Sequence, residues 1–67
     1  MPYTMPKEIS RITDNIINGK DEHYSYSHFD CSNMADYTLL STTAQDMAEV
    51  YNISVSQAIG IIQYLTH

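Results

Sequence analysis

The sequence predicts a small, mainly α-helical domain of three to four helices. Three observations carry that expectation: isoleucines at helical spacing near the N-terminus, two capping signals in the C-terminal half, and break points spaced closely enough for one helical unit. The 67 residues make a single domain, read as a helix over 6–18, an aromatic and acidic connecting region over 20–41 and a two-helix unit over 42–66.

Ile9, Ile12, Ile16 and Ile17 fall at the i, i+3, i+7, i+8 positions of one helical face. Pro6 suits the first turn, where its missing N–H costs nothing, and Gly19 followed by Lys20 fits the stop. The segment from Asp21 to Asn33 carries no helical period, and Tyr24, Tyr26 and His28 alternate with Ser25, Ser27 and Phe29. Two structures remain open for 23–40. One is a short hairpin pairing this segment with Tyr37 to Leu40, and the other is a short helix capped by Ser32 or Asn33 and running through Met34, Tyr37 and Leu40. Either reading leaves a break at Ser41 and Thr42.

Two capping boxes follow, Thr42 with Gln45 and Ser54 with Gln57. They predict helices over about 43–51 and 55–65, joined at Asn52, a residue type that tolerates the left-handed conformation. On the second of these, Val55, Ala58, Ile59, Ile61, Ile62 and Leu65 describe an apolar arc of roughly 160°, wider than the ~100° a surface helix needs. A second copy packed on Ile59, Ile62 and Leu65 is the expected cover, which makes the chain a homodimer; the alternative is that the first helix and the Tyr24 to Phe29 segment cover both sides within one subunit. Size argues the same way. A chain this short buries only roughly 60% of its unfolded surface, and the lone Cys31 allows no internal disulfide.

Residues 42–66 resemble the helix-turn-helix of phage-repressor-like small regulators. Ala48 stands where that family places a small residue between crossing helices, and Asn52 stands at the turn. Met47, Tyr51, Ile53, Ala58 and Ile61 supply the shared apolar seam, and Ser54 caps the second helix. The resemblance implies a recognition helix that offers Ser56, Gln57, Gly60 and Gln63 to base edges, with Ser54 at its start. The chain departs from the family in charge. Lys7, Arg11 and Lys20 are its only lysines and arginines, and residues 21–67 hold six carboxylates with none of either. Phosphate contacts supply most of the affinity in such complexes, so this departure disfavours DNA.

A net charge of -5 directs the chain toward a protein partner with a basic surface. Asp21, Glu22, Asp36, Asp46 and Glu49 are the expected complementary charges, together with Asp30. Tyr24, Tyr26 and Tyr37 are the expected anchors, because tyrosine joins an apolar ring to a polar tip. The function read from the chain is that of a non-catalytic regulator, of phage or mobile-element style, that binds a host protein. The alternative is a dimeric helix-turn-helix transcriptional regulator in which Lys7, Arg11 and Lys20 hold phosphates.

Chemistry has little to build on. His23, His28 and Cys31 form an H-x4-H-x2-C group around Asp30, but that spacing matches no zinc module. They read as loop histidines and a small buried thiol, with no metal and no cofactor. Asp30 and Asp36 oppose thiolate formation at Cys31, and no glycine-rich phosphate loop or Ser–His–Asp context occurs, so no enzyme is expected. The longest apolar run, near Ile59 to Leu65, is short of the ~20 residues a bilayer span needs. With no targeting segment evident, a soluble cytoplasmic protein is the expectation.

Overall fold

A computed structural model describes residues 6–29 and 37–66 of the chain. Helix α1 (Lys7–Ile17) leads to a 3-10 turn (Tyr26–Phe29), followed by α2 (Tyr37–Tyr51) and α3 (Val55–Leu65). No strand occurs among the described residues. Helix α3 is the hub, packing against α2, α1 and the 3-10 turn.

Pro6 occupies the N-cap of α1 with an extended ψ of 154°, and its carbonyl accepts the Ser10 amide at 2.9 Å. The helix buries Ile9, Thr13 and Ile16, at i, i+4 and i+7. Ile12 is half-buried and Ile17 exposed, so the isoleucine face expected from sequence is rotated toward Thr13. A buried threonine is tolerated there because its hydroxyl donates to the Ile9 carbonyl at 2.8 Å. At the other end Gly19 takes φ 71°, which lets its amide reach Ile16 and the Lys20 amide reach Asn15. This is the double closure of a Schellman stop, and it turns the chain toward the core.

Of the two structures open for 23–40, the hairpin is absent where the chain is described, and local hydrogen bonding explains why. Asp21 accepts the amides of His23 and Tyr24, each at 2.8 Å, which bends the backbone out of an extended path. The 3-10 turn then swings Phe29 into the core, and Tyr37 to Leu40 are already the first turn of α2. Cys31, Ser32, Asn33 and Met34 lie outside the described residues, as do Asp30 and Asp36.

Helix α2 also overturns the predicted break at Ser41 and Thr42. The chain is helical straight through both residues. Thr42 does not cap; its hydroxyl donates back to the Thr38 carbonyl at 2.9 Å, and the Gln45 amide group donates to Ser41 Oγ at 3.3 Å. Leu40, Ala44, Met47 and Tyr51 form one inward stripe across the supposed break. Burial of that stripe outweighs the weak helix preference of the hydroxyl run, in which no proline or glycine forces an interruption.

The second capping box is present as predicted. The Gln57 amide donates to Ser54 Oγ and the Ser54 amide donates to Gln57 Oε1, both at 3.1 Å. Before it, Asn52 takes φ 55° and the Ile53 amide returns to the Ala48 carbonyl at 3.0 Å. A three-residue turn, 52–54, thus joins α2 to α3. Ala48 itself is half-buried, while Ala44 and Ala58 are fully enclosed.

The core comprises Ile9, Ile16, Phe29, Ala44, Met47, Ala58, Ile61, Ile62 and Leu65. Every element contributes to it, and α3 contributes four residues. No described helix is long and apolar enough to cross a membrane.

Candidate interaction surfaces

The connecting segment is fastened to α2 by two crossed hydroxyl–carboxylate bonds. Tyr51 on the helix donates to Asp21 on the segment at 2.7 Å, and Tyr24 on the segment donates to Asp46 on the helix. Each element supplies one tyrosine and one carboxylate. Around these bonds the Tyr24 ring packs against Phe29 at 5.7 Å and Tyr51 at 6.2 Å, and His23 meets Tyr51 edge-on at 6.2 Å. His28 closes the group from the other side, with its Nδ1 accepting the Ser25 amide at 3.0 Å and its ring edge-on to Tyr24.

This environment biases the protonation states. Burial pushes the Asp21 carboxyl up, but the Tyr51 hydroxyl, the amides of Tyr24 and His23 and the charge of His23 together outweigh it, so the group sits below its ordinary value of 3.8. Tyr24 and Tyr51 are pushed well above 10.0, first by burial, then by their bonds to Asp46 and Asp21 and by the nearby carboxylate charge. Across the neutral range both tyrosines therefore stay neutral donors, and Asp21 stays a charged acceptor.

Of the residues expected to meet a protein partner, the structure brings Asp21, Tyr24 and Asp46 together. Glu22 and Glu49 are exposed, Tyr26 is half-exposed in the 3-10 turn, and Tyr37 stands 80% exposed at the start of α2. Asp36 lies outside the described residues. Tyr51 and His23 join the group although sequence reasoning placed neither at a surface site. Nothing in the spacing of Asp21 and Tyr51, thirty positions apart, signals that contact.

The expected dimer seam is corrected. Ile62 and Leu65 are buried within a single chain, and only Ile59 of that trio is partly open. Ile9, Ile16, Phe29 and Met47 belong to the same core, in which Ile61 at the edge of the wide arc is also fully buried. The excess apolar surface is left on the opposite flank, at Val55 and Ile59.

The residues assigned to base reading fare differently from one another. At 100° per residue, Ser56, Gly60 and Gln63 fall within roughly 60° of each other on the side of α3 away from the core. Ser56 and Gln63 are exposed and Gly60 half-buried. Gln57 is half-buried with its side-chain oxygen held in the cap. Lys7, Arg11 and Lys20 are all exposed, on α1 and at its exit. Among the described residues no three histidine, cysteine, aspartate or glutamate side chains gather as a metal site. No family model, curated protein or solved structure matches the chain.

Proposed function

We propose that the chain is a non-catalytic interaction protein, of regulator size, whose acidic and tyrosine-bearing side engages a protein with a basic surface. The observation that carries this reading is the segregation of charge along the helices. Asp46 and Glu49 lie on the exposed side of α2, the helix that crosses the phosphate backbone in a helix-turn-helix complex, and α3 carries no lysine or arginine. Such a face repels a polyanion and attracts a cationic protein surface, setting association rate and partner choice. Tyr26 and Tyr37 are exposed and offer ring area to a partner, and the Tyr24–Asp46 and Tyr51–Asp21 bonds hold part of the acidic surface rigid.

The test is binding by the Glu22→Lys and Glu49→Lys variants, which alter exposed charges and leave the tyrosine–carboxylate bonds in place. Loss of a salt-sensitive protein partner on either substitution is the expected result. Retention of that partner at unchanged affinity by both contradicts the reading.

A second reading is kept alive by one observation, the outward placement of Ser56, Gly60 and Gln63 on α3. It makes the chain a DNA-binding regulator with Lys7, Arg11 and Lys20 on phosphates. A gel-shift series at low salt decides it: sequence-selective retardation at micromolar protein supports DNA binding, and none eliminates it.

A further inference from the structure

We propose that the outward side of α3 is where two copies of this chain meet. This face adjoins the one the sequence suggested: it keeps Ile59 and leaves out Ile62 and Leu65, which are buried in the core. Between Glu49 and His67 the chain has no charged side chain other than the terminal histidine, so α3 is free of carboxylates while α1, the connecting segment and α2 all carry them. A protein of net charge -5 opposes its own association wherever carboxylates face carboxylates, and the outward side of α3 escapes that repulsion.

The same side is partly apolar. Val55 is 43% exposed, Ile59 is partly open next to it on the helix, and the uncharged Gln63 and Ser56 continue the same face, with the exposed Tyr64 at its far edge. A two-fold contact brings the same patch of both copies together, an arrangement that a neutral patch accepts and a patch of carboxylates does not. The need for such a contact is set by the small core, nine apolar residues plus Thr13 among those described. A basic partner selects the carboxylate side, and DNA selects cations that this side lacks. The second copy is the occupant that fits. The proposal is independent of the acidic-side reading, because the two sets of residues do not overlap.

The experiment is sedimentation of the full chain over a concentration series reaching about 100 µM. It is run beside the double variant Ser56→Glu with Gln63→Glu and the control Glu49→Gln. Both glutamates enter at exposed positions, and the one at 56 lies in the first helical turn where negative charge is favoured, so helicity by circular dichroism is expected to persist. The expected result is a dimer for the native chain and the control, and at least about tenfold weaker association for the double variant. A native chain that stays monomeric throughout overturns the proposal, as does a folded double variant that dimerises as before. Retardation of DNA that the double variant abolishes, with no dimer in sedimentation, also overturns it and assigns the surface to nucleic acid.

Discussion

Tyr51 reaches across thirty positions to donate to Asp21, and its hydroxyl is the residue-scale tie between the connecting segment and α2. Tyr51→Phe keeps the ring packing and removes that bond, at an expected cost of about 1 kcal/mol by chemical denaturation, because water and the remaining amide donors still reach the carboxylate. Tyr24→Phe removes the bond to Asp46 and carries a cost of the same order. If the two bonds act as one fastening, the double variant loses a different amount from the sum of the singles.

The same groups set a pH profile with two limbs. Asp21 is held below 3.8, so the stability it contributes is present above that value and is lost as pH falls through its lowered folded value. Tyr24 and Tyr51 are raised above 10.0, so their contribution is present below that value and is lost as pH rises toward the raised folded values. Stability measured against pH is expected to be level between about pH 5 and pH 9 as far as these groups set it, and to fall on both sides. Tyr51→Phe is expected to make both limbs shallower; limbs unchanged in that variant contradict the assignment.

At the scale of the element, two hydroxyl–glutamine pairs with the same spacing have different fates. Ser54 and Gln57 form the capping box, whereas Thr42 and Gln45 are interior to α2. Ser54→Ala is therefore expected to cost about 1 kcal/mol, and Thr42→Ala to change stability by less than about 0.5 kcal/mol in either direction. Comparable losses in both, read by thermal denaturation, contradict a continuous α2.

The contrast shows what in the fold was legible. A cap is visible in sequence because its residues are neighbours, and it is real only where the chain before it must leave the helix. Asn52 supplies that exit for α3 with φ 55°, and nothing comparable precedes Thr42. The start and stop of α1 were legible for the same local reason, through Pro6 and Gly19. Thr13 was not, because its burial depends on a hydroxyl bonding back to Ile9, which composition does not display.

The tyrosine–carboxylate cluster was legible only in part. Its members Asp21, Tyr24 and Asp46 were singled out for charge and ring area, but their pairing depends on how the connecting segment crosses α2. Phe29 anchors that crossing. Phe29→Ala is expected to cost about 3–5 kcal/mol, the usual loss for a fully buried phenylalanine, and to loosen the segment. Hydrogen exchange is the check, with faster exchange from Asp21 to His28 as the expected result.

For the whole molecule, the sequence made charge placement plain and left coverage of the last helix open. Four residues of α3 enter the core with residues of α1 and Phe29, which leaves the apolar excess on the Val55 and Ile59 flank. The proposed division of the surface follows its chemistry, with carboxylates and tyrosines for a cationic protein and an uncharged helix side for a second copy.

The central claim is that this helical scaffold binds protein through its acidic side. It is tested most directly by comparing what immobilised native chain and the Glu22→Lys with Glu49→Lys double variant retain from extract, with and without nuclease. The account predicts a basic protein retained by the native chain at low salt, indifferent to nuclease and lost from the double variant. Retention by both chains alike, or retention that vanishes on nuclease treatment, contradicts it.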